Sequence, residues 1–215
     1  MQFHDRTDAG RQLAERLAPL DLPDPVVLAL PRGGVPVAFE VAAALGAPLQ
    51  VFVARKVGAP ANPERGIGAI AEGDGQVVDH RALEMLGLSP GQFDALVAGE
   101  RSELERRVRR YRGSRPLPDL EGRDVVLVDD GLATGVTAEA ALHALRCRRP
   151  RRLVLGVPVC APTTVARLEN VADDVLCVIC PEDFHAVGQW YEEFDQTSDD
   201  EVLDLLDRAA QTARR

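Results

Sequence analysis

Two adjacent aspartates stand between an apolar run and a glycine- and threonine-rich turn in residues 125–137, VVLVDDGLATGVT. The first four residues predict a strand that is buried on both faces of a parallel sheet. Asp129 and Asp130 then lie at the carboxyl end of that strand, where open α/β sheets bind their ligands. A helix is predicted over residues 138–146, so residues 133–137 form the turn that leads into it. The segment therefore places two carboxylates and a helix start at one edge of a sheet.

The turn itself has the properties of a phosphate-binding loop. Unpaired backbone N–H groups and the positive end of a helix dipole favour an anion. Thr134 and Thr137 add hydroxyl donors, and Gly135 permits a close approach of the backbone. Two carboxylates beside it would repel a phosphate unless they bind something else, such as vicinal sugar hydroxyls and a hard divalent cation. The residues predict a sugar-phosphate site with Mg²⁺; an ordinary buried strand before a capped helix would not explain the two acids.

This segment resembles the phosphoribosyl pyrophosphate (PRPP) signature of the type I phosphoribosyltransferases. The resemblance implies that Asp129 and Asp130 bind the ribose hydroxyls and meet the metal indirectly, through PRPP or water. It also implies that five residues bind the 5′-phosphate: Ala133, Thr134, Gly135, Val136 and Thr137. The whole chain, including DRTDAGRQLAERL near its start and AVGQWYEEFDQTSDDEV near its end, is similar to a bacterial family of predicted phosphoribosyltransferases.

A second loop, PRGG at residues 31–34, follows a predicted strand over residues 26–30. Two adjacent glycines leave backbone N–H groups accessible, and Arg32 offers a planar fork to phosphate oxygens. The loop resembles the pyrophosphate loop of the same family, which implies that Arg32, Gly33 and Gly34 bind the pyrophosphate of PRPP. A simple strand-to-helix turn is the alternative interpretation.

The segment after residue 55 is rich in glycine, proline and charge, and it predicts a long mobile loop or a loose hairpin over residues 56–76. Arg55 and Lys56 align with the basic position at the start of the family's flexible loop, and Arg65 lies inside it. Lys56 is the only lysine among the 25 basic residues. A compact ammonium at this point suits an anionic ligand, although a bias towards arginine can also reflect a GC-rich genome.

The resemblance implies a catalytic set of Asp129, Asp130, Lys56 and Arg32. Breaking the C1–O bond of PRPP gives the sugar oxocarbenium character, as in glycoside hydrolysis. The leaving group is a polyanion, which Arg32, Lys56 and Mg²⁺ would stabilise as its charge develops. Closure of the flexible loop would exclude water from the reaction.

Four of the nine aromatic residues fall in FHAVGQWYEEF, residues 184–194. Such a cluster predicts a hydrophobic lid on which a flat base could stack, and it is similar to the hood of purine phosphoribosyltransferases, here residues 181–198. Candidate base contacts are Phe184, Val187 and Trp190. The alternative is that these rings only fasten the last helix to the core.

The acceptor base is left open. Ala133 stands where 6-oxopurine enzymes carry an aspartate that handles the base proton, so hypoxanthine and guanine are disfavoured. The favoured hypothesis is an enzyme that transfers ribose 5-phosphate from PRPP to a nitrogenous base and releases pyrophosphate. A PRPP- or nucleotide-sensing regulator without turnover is the alternative, and hydrolysis or phosphorolysis of a nucleotide is a weaker third.

Strands are predicted over residues 26–30, 49–54, 125–128, 153–157 and 175–179, and helices over 9–17, 35–45, 80–86, 92–112, 138–146 and 200–213, with a short one after Pro162. Alternating strands and helices predict an α/β fold, with a parallel sheet covered by helices on both faces. We expect one phosphoribosyltransferase domain over residues 1–215, carrying a small hood.

Composition and charge exclude several classes of protein. The net charge of −9 disfavours nonspecific nucleic-acid binding, and no apolar stretch is long enough for a membrane span. We therefore expect a cytoplasmic protein with small-molecule substrates, and a homodimer is possible. Cys177 and Cys180 lie in a predicted buried strand, where their side chains point to opposite faces, so zinc binding is disfavoured. GIGAIA at residues 66–71 formally matches a dinucleotide fingerprint but does not follow a strand.

Overall fold

A five-stranded parallel sheet forms the centre of the protein, which the computed structural model describes over residues 2–73 and 75–212, without the side chain of Glu64. Its strands in spatial order are β2 (Leu49–Val51), β1 (Pro25–Ala29), β6 (Asp124–Val128), β7 (Arg152–Val159) and β8 (Asp174–Ile179). All neighbouring pairs are parallel. The predicted parallel sheet is confirmed.

Helices cover both faces of this sheet, because successive strand residues point to opposite sides. Val27 and Val126 face one core with α1 (Arg6–Leu17), α2 (Gly34–Leu45) and α7 (Asp199–Thr212). Val26 and Val125 face the other core with α5 (Val136–Arg146) and α6 (Pro162–Leu168). The remaining helices are α3 (His80–Leu86), α4 (Pro90–Arg112) and a 3₁₀ turn over Val187–Trp190.

A second, antiparallel sheet replaces the loop expected over residues 56–76. It consists of β3 (Ala54–Ala59), β4 (Asn62–Ala71) and β5 (Gln76–Val78). The expectation of a structureless loop was therefore wrong, and the hairpin alternative is the correct one. Its pairing is irregular on both sides of Gly58. Glycines interrupt the apolar alternation of β4, which hides the strand in the sequence, yet Ile67 and Ile70 are fully buried.

The hairpin packs closely on α5 and so lies beside the loop that precedes that helix. Ala69 and Ala71 of β4 share a core with Ala140 and Ala144 of α5. At Gly75 an added β-carbon would lie 2.5 Å from the Ala144 β-carbon, so only glycine fits between the sheet and the helix. This contact brings the start of β3 towards the predicted phosphate loop.

Several predicted boundaries shift. The strand expected over residues 49–54 ends at Val51, and Ala54 already belongs to β3. The helix expected from residue 138 begins at Val136. The predicted end of the last helix, residue 213, lies outside the described residues. β8 is an edge strand, so its residues are half-buried rather than buried as expected. None of the helices in the described ranges is long and apolar enough to cross a membrane.

Candidate active site

The acid pair lies at the carboxyl end of β6, beside the end of β1. Ala29 of β1 is the register partner of Val128 of β6, and the Leu30 N–H donates to the Val128 carbonyl at 2.9 Å. The loops that follow the two strands therefore leave the sheet side by side. Asp129 and Asp130 are half-buried there, and the Asp130 N–H donates to Asp129 Oδ1 at 2.9 Å.

The PRGG loop closes against these carboxylates. A β-carbon on Gly33 would come 2.0 Å from Asp130 Oδ2, and one on Gly34 would come 2.9 Å from the Asp129 Cα. The peptide bond between Pro31 and Arg32 is cis. Gly34 begins α2, so this loop also ends at a helix N-terminus. The structure thus brings together the acid pair and both glycines of the predicted pyrophosphate loop.

The predicted 5′-phosphate loop leads into α5 as expected. Gly135 is the N-terminal cap residue, with a φ of +63°, and no side chain caps the helix. The first intrahelical bond runs from the Glu139 N–H to the Gly135 carbonyl, so the N–H groups before it have no partner within the helix. Thr164 Oγ1 donates to the Ala133 carbonyl at 2.5 Å, and Arg167 donates to the Thr134 carbonyl. The carbonyl side of the loop thus faces α6.

A cleft of about 890 Å³ opens in front of this loop. Its lining includes Lys56 of β3, the loop residues Ala133, Thr134 and Val136, and His185 of the hood. The remaining lining residues are Gly66, Val77, Val78, Asp79, His80, Glu139 and Arg167. Neither Asp129 nor Asp130 is part of this lining.

Two predicted phosphate-binding arginines bind acids on neighbouring helices. Arg32 Nη1 lies 3.8 Å from Asp199 Oδ1 at the start of α7. The hydrogen bond from the Tyr111 hydroxyl to Asp199, at 2.6 Å, lowers the pKa of that carboxyl below its usual value. Arg55 Nη2 lies 2.6 Å from Glu100 Oε2 of α4. These carboxylates compete with a phosphate for the two guanidinium groups.

Arg6 also belongs to this group of residues, although no role was predicted for it from the sequence. Its Nε donates to Asp130 Oδ2 at 2.8 Å, and its Nη1 donates to the Asp195 carbonyl at 2.7 Å. The guanidinium also lies 4.0 Å from the centre of the Phe194 ring. The Tyr191 hydroxyl donates to the Asp130 carbonyl at 2.6 Å. The only sequence signal was the position of Arg6 within DRTDAGRQLAERL.

The electrostatics of the acid pair oppose full ionisation. Burial and then the neighbouring charge of Asp130 raise the pKa of Asp129 well above its ordinary value. Burial also raises the pKa of Asp130, although the charge of Arg6 and its hydrogen bond oppose that rise. The site therefore favours ligands that stabilise carboxylates, namely hydroxyl donors and cations.

The aromatic hood packs mainly on the N-terminal segment. Phe3 lies 5.3 Å from Tyr191 between ring centres, and the Phe3 N–H donates to the Trp190 carbonyl at 2.8 Å. Phe184, Val187 and Trp190 are partly buried around this contact. The alternative interpretation was that these rings fasten the last helix to the core. In the structure they pack against the N-terminal segment instead.

Val187 is the predicted base contact that reaches the acid loop. A β-carbon on Gly131, the residue after the acid pair, would lie 2.6 Å from Val187 Cγ1. The hood therefore lies against the loop that carries the carboxylates.

A sequence model of the phosphoribosyl transferase domain matches residues 4–195. The chain belongs to this family. The matched range contains Arg6, both glycine loops, the acid pair and the four aromatic residues of the hood.

Two comparisons extend the family match to nearly the whole chain. A Mycobacterium tuberculosis protein, Rv0571c, provisionally named as a phosphoribosyl transferase, is 50% identical over 207 residues. That alignment covers 96% of this chain and 47% of the relative, so the chain spans about half the length of its curated relative. The crystal structure of TT1426 from Thermus thermophilus is 48% identical, with a TM-score of 0.81, and the match covers 96% of this chain and 98% of TT1426.

A more distant neighbour supports the fold alone. A protein from Neisseria gonorrhoeae, solved with bound ppGpp, is 15% identical, with a TM-score of 0.50. The match covers 100% of this chain and 97% of that protein.

Proposed function

We propose that this chain is a PRPP-dependent enzyme that transfers ribose 5-phosphate to a nitrogenous base and releases pyrophosphate. The observation that carries the proposal is the position of the acid pair. Asp129 and Asp130 lie at a strand end that continues into the α5 loop, while Gly33 packs against the Asp130 carboxylate. One bound PRPP can therefore meet the sugar-binding acids and two anion-binding loops at once.

Each part of the site has a separate role in this reaction. Asp129 and Asp130 hold the ribose hydroxyls, and their negative charge favours the positive charge that grows at C1. The N–H groups at the start of α5 bind the 5′-phosphate, together with Thr134 and Thr137. Gly33 and Gly34 let the backbone approach the pyrophosphate. The C1–O bond breaks, a C1–N bond forms to the base, and the base loses one proton.

Lys56 and Arg32 stabilise the leaving pyrophosphate in this proposal. Lys56 already lines the cleft beside Thr134, at the start of the β3–β4 hairpin. Arg32 has to turn from Asp199 to the ligand, and the 3.8 Å separation of that ion pair leaves a weak contact to break. Each cation neutralises the additional negative charge that develops on the pyrophosphate as the bond to C1 breaks.

Mg²⁺ fits the donors that the site offers. Asp129 and Asp130 supply hard carboxylate oxygens, which this cation prefers. No group of three or more His, Cys, Asp or Glu side chains within residues 2–73 and 75–212 is arranged to bind a metal. We therefore propose that the cation takes most of its ligands from PRPP and water, and that it neutralises the pyrophosphate when bound.

The test is the release of pyrophosphate from PRPP and Mg²⁺ with a panel of purines, pyrimidines and other nitrogen heterocycles. Asp129→Asn and Asp130→Asn should each lower kcat/KM by about 10²-fold, comparable to the loss of one preorganised electrostatic group. Asp207→Asn, an exposed position on α7, is the matched control. Turnover that survives both site substitutions would refute the site assignment.

The same panel separates the enzyme from the other hypotheses. Tight PRPP binding without turnover on any acceptor would favour a sensing regulator. Release of ribose 5-phosphate from a nucleotide that is offered in place of PRPP would favour the third hypothesis, nucleotide hydrolysis. Turnover with a single base of the panel would identify that base as the acceptor. The hood around Val187 is its proposed binding site.

A further inference from the structure

Arg6 joins two parts of the molecule that lie far apart in the sequence. It is the first residue of α1, and its side chain reaches the acid loop on one side and the hood on the other. Only 12% of its side chain is exposed, and only 15% of that of Asp130. A buried arginine that donates in two directions is held in one geometry, because its planar fork has little freedom once both bonds form.

We propose that Arg6 is a positioning residue for PRPP: it aims the Asp130 carboxylate at the ribose hydroxyls and fixes the hood to the same point. The inference rests on the proposed function, because it concerns the sugar that Asp130 would bind. Arg6 acts through Asp130 and the hood and does not itself touch the reacting atoms.

The contacts of Arg6 show that it does more than hold the hood in place. The bond to the Asp195 carbonyl and the stacking on the Phe194 ring would suffice to hold the hood in place. Arg6 nevertheless donates its Nε to Asp130 Oδ2, a charge-assisted bond to a predicted ligand-binding atom. Loss of this bond would leave the carboxylate without its cation and free to turn away.

The charges around the site also support a role of Arg6 in PRPP binding. Asp129 and Asp130 are adjacent carboxylates, and PRPP is a polyanion, so both would repel it without nearby positive charge. Arg6 supplies a positive charge within hydrogen-bonding distance of Asp130. Its removal should therefore weaken PRPP binding by misaiming Asp130 and by leaving its charge unpaired.

The experiment is a double-mutant cycle on PRPP binding, measured by calorimetry in the presence of Mg²⁺ at neutral pH. The proteins are wild type, Arg6→Met, Asp130→Asn and the double variant, with Arg6→Lys as the conservative substitution. Arg6→Met should raise the Kd about 10- to 100-fold, the range expected for a charge-assisted hydrogen bond. Arg6→Lys should recover part of the loss, because it keeps the charge but cannot make both bonds.

The energetic coupling between Arg6 and Asp130 in PRPP binding distinguishes a positioning role of Arg6 from a simple stabilisation of the fold. If Arg6 acts through Asp130, Arg6→Met should weaken binding by no more than about threefold once Asn occupies position 130. A full loss in both backgrounds would overturn the inference, as would unchanged binding by Arg6→Met. The melting temperature of every variant is measured as a control for folding. If Arg6→Met does not fold, Arg6→Lys replaces it in the double-mutant cycle.

Arg11→Met is the matched control, because Arg11 lies on the same helix, is largely exposed and pairs with Glu40 at 3.1 Å. Its Kd for PRPP should equal that of wild type. Failure of the wild-type protein to bind PRPP would overturn the proposed function and this inference with it. Wild-type binding without the expected coupling would overturn the inference alone.

Discussion

Gly33 and Asp130 lie so close that a β-carbon on Gly33 would come 2.0 Å from the Oδ2 atom of Asp130. The backbone of Gly33 has a φ of −60°, which any residue can adopt. Space rather than backbone conformation therefore requires glycine at this position. The contact also means that the loops after β1 and β6 interlock, so a change in one must displace the other.

Gly33→Ala should accordingly weaken PRPP binding by tenfold or more while the protein remains folded. Either the loop or the Asp130 carboxylate must move by about 1 Å, and a displacement of this size can cost on the order of 10²-fold in catalysis. Calorimetric titration with PRPP and a melting curve measure the two effects separately.

Gly99→Ala provides the control for this prediction. Gly99 lies within α4, and nothing stands within 4 Å of an added β-carbon there. Alanine should stabilise the helix by roughly 0.5–1 kcal/mol and leave PRPP binding unchanged. Equal binding by the two alanine variants would show that the PRGG loop does not contact the ligand.

Asp129→Asn should stabilise the ligand-free protein at neutral pH, although it should impair turnover. Burial and the neighbouring Asp130 raise the pKa of Asp129 well above its ordinary value of 3.8. At pH values between the unfolded and the folded pKa the folded protein therefore binds a proton that the unfolded chain releases, and its stability falls as the pH rises from 3.8 through the folded pKa. Asparagine removes this cost. Urea unfolding at neutral pH should show a gain above the roughly 0.5 kcal/mol typical of surface substitutions.

Urea unfolding repeated over a range of pH tests whether the buried charge of Asp129 is the cause of this gain. The stabilisation by Asp129→Asn should shrink as the pH falls and disappear below 3.8, where the carboxyl is protonated in both folded and unfolded chains. A gain that is independent of pH would mean that the burial of the charge is not its cause.

The acid pair and its loops could be predicted because their signals are local. The apolar strand, Asp129, Asp130 and the turn before α5 follow one another within 13 residues. Parallel strands end at the same edge of a sheet, which brings the PRGG loop to that point. Arg6 could not be predicted, because its partner lies 124 residues away and the contact depends on how α1 packs.

The hairpin and the orientations of the Arg32 and Arg55 side chains could not be predicted from the sequence for other reasons. Glycines in β4 break the alternation that marks a strand, and its burial depends on α5, which comes much later in the chain. Arg32 and Arg55 have long side chains that turn to the nearest carboxylates, Asp199 and Glu100. Sequence position places the backbone of such a residue but not its charge.

Arg112→Met should destabilise the protein strongly through the hairpin. Arg112 Nη2 lies 2.5 Å from Glu72 Oε2, and both side chains are at most 10% exposed. The other oxygen of Glu72 accepts the Val53 N–H at 2.6 Å. Removing the arginine leaves a buried, unpaired carboxylate, so urea unfolding should show a loss of about 3–5 kcal/mol.

The double substitution Glu72→Gln with Arg112→Met should recover part of this loss, because no unpaired charge remains. Arg106→Met is the surface control, since the pair of Arg106 with Glu103 is exposed and should contribute about 0–1 kcal/mol. A loss at Arg112 no larger than at Arg106 would contradict a buried charge pair.

Lys56 and Arg55 are neighbours in β3, yet their substitution should have different consequences. Lys56→Met should lower kcat/KM for PRPP by about 10- to 100-fold, because Lys56 lines the same cleft as Thr134 and is proposed to stabilise the leaving pyrophosphate. Arg55→Met should change it by less than about threefold, because Arg55 is held by Glu100 at 2.6 Å. Steady-state pyrophosphate release measures both, and Lys56→Arg should retain part of the activity by keeping the charge. A larger loss at Arg55 than at Lys56 would show that Arg55 leaves Glu100 to bind the ligand.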